Sequence, residues 1–213
     1  MDDEEIVANY GFYGESLILL EGAITEVITR IDIIRRYIKI KGFRDPIEHV
    51  KTRIKSEESM KEKLIRKGLA PTCENAVTKV YDAAGIRVIC TFVDDVYRIV
   101  ELLKSQQDIK IIEEKDYISN PKPSGYRSFH LIIKVPIHLP KGIRYVNAEI
   151  QIRTIAMDCW ASLEHEMRYK KDVPNTELIA GELKRCADEI ASTDLTLQAI
   201  RDMIDSEGTG GHK

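Results

Sequence analysis

Apolar side chains recur at helical spacing in the first part of the chain. Between Ser16 and Ile40 they lie three or four positions apart, at Leu17, Leu20, Ile24, Val27, Ile31, Ile34 and Ile38. This spacing places them on one face of a helix. Gly42 follows, and a glycine just past the last apolar position commonly ends a helix. The pattern predicts an amphipathic helix from Ser16 to about Ile40.

Strand patterns dominate the middle of the chain. Apolar residues at Ile47, Val50 and Ile54 predict a short edge strand, and the run GIRVICTFV at residues 85–93 is typical of a buried strand. A third strand is predicted near IKIIEEKDY. Two more surround the PKG turn at residues 140–142.

Further helices are predicted between and after these strands. They span Ser56 to about Gly68, Asp94 to about Lys104, the run TIAMDCWASLEHEMRYKK, and Thr176 to Asp205 after a break at Pro174. Residues 117–127 are predicted to form a loop, and the tail EGTGGHK to be disordered. This order of elements predicts an α+β, or mixed α/β, domain: a mixed sheet flanked by helices, with helical extensions at both ends.

Two predicted strands carry polar side chains on one face. Alternation directs Val146, Ala148, Ile150 and Ile152 to the core. It leaves the opposite face to Asn147, Glu149, Gln151 and Arg153, and the neighbouring strand adds Ser128, His130 and Lys134. One interpretation is that this is the solvated side of an antiparallel sheet. The other is that it is a binding surface.

Composition narrows the class of protein. A chain of 213 residues that is 43% hydrophobic can bury one sizeable core. No apolar run reaches the roughly 18 residues that a membrane span needs, and the acidic N-terminus does not resemble a signal peptide. Four well-separated cysteines favour a reduced compartment. We therefore expect a cytoplasmic protein with no membrane association.

Charge is unevenly distributed along the chain. The first 34 residues hold eight acids and one Arg, whereas residues 35–67 hold twelve Lys and Arg against five acids. Such a basic block either solvates a helix face or binds an anion.

Two carboxylates suggest that the basic block at residues 35–67 binds an anion together with a metal ion. Asp82 immediately precedes a predicted strand, and Glu149 lies on the polar face of another. Together they form an oxygen site suited to Mg²⁺, whose coordination is usually completed by water and substrate phosphates. The chain contains no GxxxxGK[ST] motif, so side chains and metal would have to bind a polyphosphate.

The motifs YDAAGIRVIC, SGYRSFHL, EIQIRT and WASLEHEMRYK resemble the synthetase domain of the RelA/SpoT family over roughly residues 45–170. At this length the chain is similar to the single-domain small alarmone synthetases. The resemblance implies a nucleotidyltransferase-like fold with a mostly antiparallel five-stranded sheet. It also implies Mg²⁺-dependent transfer of a pyrophosphoryl group from ATP to the ribose 3′-hydroxyl of GDP or GTP, giving ppGpp or pppGpp and AMP.

The same resemblance implies roles for individual residues. Asp82 and Glu149 would be catalytic and would hold the metal, with Glu149 also a candidate base for the 3′-hydroxyl. ATP would be bound by Arg53, Lys55, Ser59, Lys63, Arg66 and Arg87. GDP or GTP would be bound by Lys115, Lys122, Tyr126, His130, Gln151 and Asp158.

We expect three segments: residues 1–44 with the first helix, a synthetase domain at 45–172, and a C-terminal helix and tail at 173–213. The chain has no His-Asp dipeptide, which the family's hydrolase domain requires, so hydrolysis of the product is not expected. The small family members that this chain resembles assemble as homotetramers through helices at both ends, so the resemblance implies a homotetramer here. Expression, oligomerisation, or binding of a regulatory nucleotide or single-stranded RNA would provide control.

Two other functions remain open. Some toxic relatives pyrophosphorylate the 3′ end of tRNA, and the acidic N-terminus argues against this acceptor. A non-catalytic nucleotide-binding or RNA-binding module is the other alternative, and the presence of both Asp82 and Glu149 argues against it.

Overall fold

The computed structural model describes residues 11–168 and 176–209. After a 3₁₀ turn at Gly11–Tyr13, the elements are α1 (Ser16–Ile40), β1 (Ile47–Ile54), α2 (Glu57–Arg66), α3 (Cys73–Lys79), β2 (Ala84–Cys90), α4 (Val93–Lys104), β3 (Lys110–Asp116), β4 (Phe129–Leu139), β5 (Gly142–Thr154), α5 (Ile155–Arg168) and α6 (Thr176–Thr209).

The five strands form one sheet in the order β1-β2-β5-β4-β3. Strands β2 and β5 pair in parallel, and the other three pairs are antiparallel. This confirms the expected mixed, mostly antiparallel sheet flanked by helices. Strand β1 lies at an edge, as its sparse apolar pattern predicted.

Helices α1 and α4 cover one face of the sheet. Five of the seven side chains in the predicted apolar stripe of α1 are buried, together with Ala23, and the other two, Leu17 and Ile24, are partly buried against the core. The buried side chains of α4 include Val96, Ile99, Val100 and Leu103. They form one core with alternate residues of β2, β4 and β5, so the opposite face of the sheet is left for other contacts. Among the described residues, no helix is long and apolar enough to cross a membrane.

Some element boundaries differ from those predicted. Strand β2 ends at Cys90 rather than near residue 93, because the Asp95 carboxylate accepts a hydrogen bond from the Phe92 amide (3.2 Å) and fixes the start of α4. Helix α3 was not predicted. It has seven residues, and its one fully buried side chain, Ala76, is too weak an apolar signal.

The C-terminal helix is longer than predicted. It continues to Thr209, so the tail EGTGGHK was wrongly expected to be disordered from its first residue. Pro174, the last residues of TIAMDCWASLEHEMRYKK and the final four residues of the chain lie outside the described residues.

Helix α6 packs against the end of β5 and against two helices. The Thr154 hydroxyl donates to Asp194 (2.5 Å), and the Trp160 indole donates to the Leu183 carbonyl (3.0 Å). Farther along, Arg201 pairs with Asp94 of α4 at 2.7 Å. These contacts fix α6 at three points.

Replacing Asp194 by asparagine is expected to stabilise the fold at neutral and alkaline pH. Asp194 is 3% exposed, and burial raises the pKa of its carboxyl, although the Thr154 hydrogen bond lowers it in part. A carboxyl whose pKa is raised in the folded state stabilises the fold fully at pH values below its ordinary pKa of 3.8. That stabilisation is lost as the pH rises through the raised pKa. Asparagine keeps an acceptor for Thr154 but does not ionise.

Urea unfolding of both proteins at pH 8, 6 and 4.5 checks this expectation. The advantage of Asp194→Asn should shrink as the pH falls. An advantage that is equal at all three pH values would contradict it.

Candidate functional site

The polar face of β4 and β5 is largely buried. Ser128, His130, Asn147 and Arg153 are each no more than 7% exposed. Burying a polar side chain raises the free energy of the folded state unless the side chain is hydrogen-bonded, so four of them together mark this face as a candidate binding site. Its interpretation as the solvated side of a sheet is wrong for these four residues.

One line of polar side chains crosses all five strands. Strand register places Lys51 opposite Arg87, Arg87 opposite Gln151, Gln151 opposite His130, and His130 opposite Lys115. Facing residues on adjacent strands project to the same side. We call these five residues the central row. It brings together predicted ATP-binding and acceptor-binding residues that are distant in sequence.

A pocket of about 280 Å³ opens on the β1–β2–β5 side of the central row. The residues that line it are Lys51, Thr52, Arg53, Asp82, Gly85, Ile86, Arg87, Glu149 and Gln151. It thus contains both predicted catalytic carboxylates and Arg53 and Arg87, the two arginines predicted to bind ATP that lie on strands. Arg53 is paired with Gly85, and a Cβ built on Gly85 would lie 3.4 Å from Arg53 Cγ. The glycine therefore keeps the pocket floor open beneath the Arg53 side chain.

Replacing Gly85 by valine is expected to raise the KM for ATP about tenfold, because Gly85 lines the pocket and the added isopropyl group would take up space beside Arg53, at a cost of roughly 1–3 kcal/mol. Valine suits a strand, so the sheet should persist. The KM for the guanosine acceptor should change little. Steady-state kinetics with each substrate varied in turn checks this. An equal rise in both KM values would mean that the whole site had been distorted.

Glu149 is held ionised on the wall of the pocket. Its carboxylate accepts hydrogen bonds from His130 Nδ1 (3.1 Å) and Gln151 Nε2 (2.9 Å). Burial raises the pKa of Glu149. The hydrogen bond and charge of His130, the Gln151 hydrogen bond and the charge of Lys63 outweigh that effect and lower the pKa to about 2. The side chain therefore carries a negative charge at any physiological pH.

Asp82 lies where β1 and β2 bring a basic segment beside it. The Lys55 amide donates to the Ala83 carbonyl (3.0 Å), which fixes the chain next to Asp82. Asp82 Oδ2 pairs with Lys63 at 2.7 Å and Lys55 at 3.2 Å. Its Oδ1 is buried and has no hydrogen-bond partner in the described structure. An unsatisfied buried carboxylate oxygen is costly, and a cation would satisfy it.

These features fit a magnesium ion. Within residues 11–168 and 176–209, no three His, Cys, Asp or Glu side chains gather to form a protein-only metal site. Mg²⁺ is commonly held by one or two carboxylates together with water and substrate phosphates. Asp82 and Glu149, which line one pocket beside lysines, provide such a pair.

Helix α2 presents the remaining ATP candidates. Ser56 caps its N-terminus by accepting from the Ser59 amide, and Lys63 and Arg66 lie in its last turn. Ser59, Lys63 and Arg66 share one face by their spacing. Lys63 reaches Asp82, whereas Ser59 and Arg66 are exposed at the rim.

The acceptor candidates cluster on the β4 side of the central row. The Tyr126 hydroxyl lies 2.8 Å from His130 Nε2 and accepts from Arg153 Nη2 (2.6 Å). Lys122 Nζ lies 4.7 Å from the ring centres of both Tyr126 and Tyr117. Tyr117, which stands edge-on to Tyr126 and His130, was not predicted. Its position at the start of a Pro- and Gly-rich loop was the available signal.

Asp158 and Lys115 have protein partners in this structure. Asp158 Oδ1 accepts from Arg87 (3.0 Å) and from Arg153 (3.1 Å), and so links the two halves of the site. Lys115 pairs with Glu113 at 3.1 Å at the outer end of the central row. Arg153 was placed on the polar face by alternation but received no role, since its contacts depend on the folded chain.

Known proteins match this chain over most of its length. Residues 52–173 match the family described as a region found in RelA / SpoT proteins. The GTP pyrophosphokinase YwaC of Bacillus subtilis is 42% identical over 96% of this chain and 97% of its own length. The GTP pyrophosphokinase YjbM of the same organism is 35% identical, over 84% and 83%.

Solved structures agree with the sequence matches. Small alarmone synthetase 2 from B. subtilis superposes with a TM-score of 0.79 at 43% identity, covering 89% of this chain and 98% of that one. Small alarmone synthetase 1 from B. subtilis, bound to its product pppGpp, gives 0.80 at 33% identity, covering 89% and 96%. From its sequence motifs, its fold and these matches, the protein belongs to the RelA/SpoT family.

Proposed function

We propose that the protein is a GTP pyrophosphokinase that makes (p)ppGpp from ATP and GDP or GTP. The observation that carries this proposal is the central row of polar side chains across the sheet. On one side of it lies the pocket that contains Asp82 and Glu149, and on the other side lies the cluster of Tyr126 and Lys122. Two substrates bound at its two ends would meet near Glu149. The activities named for the B. subtilis relatives support the same reaction.

ATP binds in the pocket beside β1 and β2. Arg53 and Arg87 both line it, and planar guanidinium groups stack well on a purine. The ammonium groups of Lys55 and Lys63 pair with Asp82. Ser59 and Arg66 lie on the same helix as Lys63, and these four side chains are assigned to the ATP phosphates. This gives the basic block of residues 35–67 an anionic ligand.

GDP or GTP binds over the loop that precedes β4. Tyr126 stacks on guanine, and Lys122 and Lys115 meet the acceptor phosphates. His130 and Gln151 face the acceptor ribose from adjacent strands. We also assign Asp158 to the acceptor. In the structure its carboxylate contacts Arg87 and Arg153, so it would act together with these two arginines.

The reaction exchanges one phosphorus–oxygen bond for another. The acceptor 3′-oxygen bonds to the β-phosphorus of ATP, the bond from that phosphorus to the α,β-bridging oxygen breaks, and AMP leaves with that electron pair. Asp82 and Glu149 would hold Mg²⁺, and the ion would supply positive charge to offset the charge that develops on the transferred group. Lysine charges around Asp82 act in the same direction.

The hydroxyl proton requires an acceptor. The proton is finally released to solvent, either directly or through Glu149. A carboxylate with a pKa of about 2 is a weak base, so the surroundings of Glu149 favour its role as a metal ligand over its role as the base.

Assembly and location complete the proposal. We infer a cytoplasmic homotetramer in which the two terminal helices provide the contacts between copies. Residues 45–172 would form the synthetase domain, between the N-terminal segment 1–44 and the C-terminal segment 173–213. The support is a row of exposed apolar side chains on both terminal helices, including Ile33 and Ile40 on α1 and Leu197, Met203 and Ile204 on α6. A regulatory nucleotide or single-stranded RNA is a further proposed partner.

The direct test is transfer of label from γ-³²P-ATP in the presence of Mg²⁺. GDP, GTP, GMP and bulk tRNA are offered separately, and the products are separated. Label on a guanosine nucleotide, with an equal amount of AMP, is the expected result. Label on tRNA would favour the toxin reaction instead, and no transfer to any acceptor would overturn the proposed function.

A further inference from the structure

We propose that helix α6 positions the acceptor loop through Arg127, so that Arg127 and Asp188 determine how well the guanosine acceptor binds. We define the acceptor loop as residues 117–127. This inference rests on the proposed function, because it treats Tyr126 and Lys122 as acceptor ligands. The hydrogen-bond partners of the Arg127 side chain lie in its own loop and on α6.

Arg127 ties the loop to the helix with three hydrogen bonds. Its Nη1 donates to the carbonyls of Gly125 (3.1 Å) and Ala187 (3.2 Å), and its Nη2 donates to Asp188 Oδ1 (2.9 Å). The Arg127 side chain is 17% exposed, whereas its partner Asp188 is 48% exposed on the surface of α6. Charge-assisted bonds of this kind are stronger than neutral ones.

The backbone of the loop lies directly against α6. Gly125 has a φ of +89°, and a Cβ built there would lie 2.6 Å from Ala187 Cβ. A side chain at this position would therefore both strain the backbone and push the loop away from the helix. The close approach and the Arg127 bonds are independent observations of the same contact.

Holding Gly125 and Arg127 also holds Tyr126 and Lys122. Tyr126 lies between the two anchored residues in sequence. The Gly125 amide donates to the Lys122 carbonyl (2.8 Å), and the Lys122 amide donates to the Tyr126 carbonyl (3.2 Å), which closes a tight turn. The backbone that bears Tyr126 and Lys122, the two predicted acceptor-binding side chains, is thus held in place by its contacts with α6.

Helix α6 can serve as this support because it is anchored elsewhere. Its contacts with Thr154, Trp160 and Asp94 do not involve the loop. The Tyr126 ring is meanwhile held from the sheet side by Arg153 and His130. The loop is therefore clamped between α6 and the sheet, and loss of the α6 contact leaves one support.

The test compares Arg127→Ala, Asp188→Ala and Arg127→Lys with Arg185→Ala. Arg185 lies on α6 and pairs with Glu182 and Glu189 on the exposed surface, so it is a matched control. In Arg127→Ala the loop is no longer held by α6. If only about a tenth of the molecules then have the loop in its binding position, the KM for GDP rises about tenfold. Asp188→Ala should give a smaller rise, Arg127→Lys a partial recovery, and Arg185→Ala no change.

The KM for ATP should stay within about twofold in all four variants, because the ATP pocket does not touch α6. A general loss of stability would raise both KM values or lower only the amount of active enzyme. Equal rises for GDP and ATP, or no rise for GDP, would overturn the proposal.

Amide hydrogen exchange gives a readout that does not depend on turnover. Faster exchange confined to residues 117–127 in Arg127→Ala is expected, with β4 and β5 unchanged. Exchange that is unchanged in the loop would overturn the proposal even if the wild-type protein transferred no label, and the two failures can therefore be told apart. If Arg127→Ala does not fold, Asp188→Ala, which removes one of the three Arg127 bonds, decides the question.

Discussion

Replacing Glu149 by glutamine, or Asp82 by asparagine, is expected to lower kcat about a thousandfold, since a metal-based charge stabilisation of several kcal/mol is at stake and each 1.36 kcal/mol is tenfold. Both changes keep the shape of the side chain and remove its charge. Glu149 holds that charge at a pKa of about 2, and Asp82 has a buried oxygen with no protein partner. Both features favour ligation of a cation.

Glu48→Gln provides the control for this experiment. Glu48 is an exposed carboxylate on β1, outside the pocket, and its loss should leave kcat unchanged. Single-turnover rates at saturating ATP and GDP are compared over a range of Mg²⁺ concentrations, with circular dichroism to verify folding. Near-normal rates in Asp82→Asn or Glu149→Gln would show that the carboxylate pair is wrongly assigned.

The second large effect is expected for Tyr126→Ala. Base–aromatic stacking is worth about 1–3 kcal/mol per base, so the KM for GDP should rise by a factor of about 5 to 150. The KM for ATP should change little, because Tyr126 does not line the ATP pocket.

Tyr126→Phe separates stacking from hydrogen bonding. It keeps the ring but removes the hydroxyl that meets His130 and Arg153. Its effect on the KM for GDP should therefore be smaller than that of the alanine variant. Equal damage by both variants would assign the role of Tyr126 to its hydroxyl, and equal damage to both substrates by Tyr126→Ala would contradict the guanine stack.

Local periodicity explains what could be predicted from the sequence. Alternation along β4 and β5 depends only on neighbouring residues, so it identified the polar face that carries His130, Glu149 and Gln151. Helical spacing likewise predicted α1. The fold class followed from the order of these elements and from the family motifs.

Contacts between distant segments could not be predicted in this way. Asp158 bonds Arg87 and Arg153, and Arg127 reaches Asp188 on the last helix. Each of these partners is chosen by the packing of elements that lie far apart in sequence. Helix α3 was missed for a different reason, since seven residues with little burial give no clear period.

The parallel pairing of β2 with β5 has a consequence for the order in which the protein becomes active. Ala84 pairs with Ala148, so this contact closes a long stretch of chain, whereas β4 and β5 form a hairpin. Distant contacts form slowly because the loop-closure entropy must be overcome first. The basic pocket wall is synthesised early but acquires Glu149 only when β5 leaves the ribosome and joins β2, so a nascent chain cannot consume ATP before its sheet is complete.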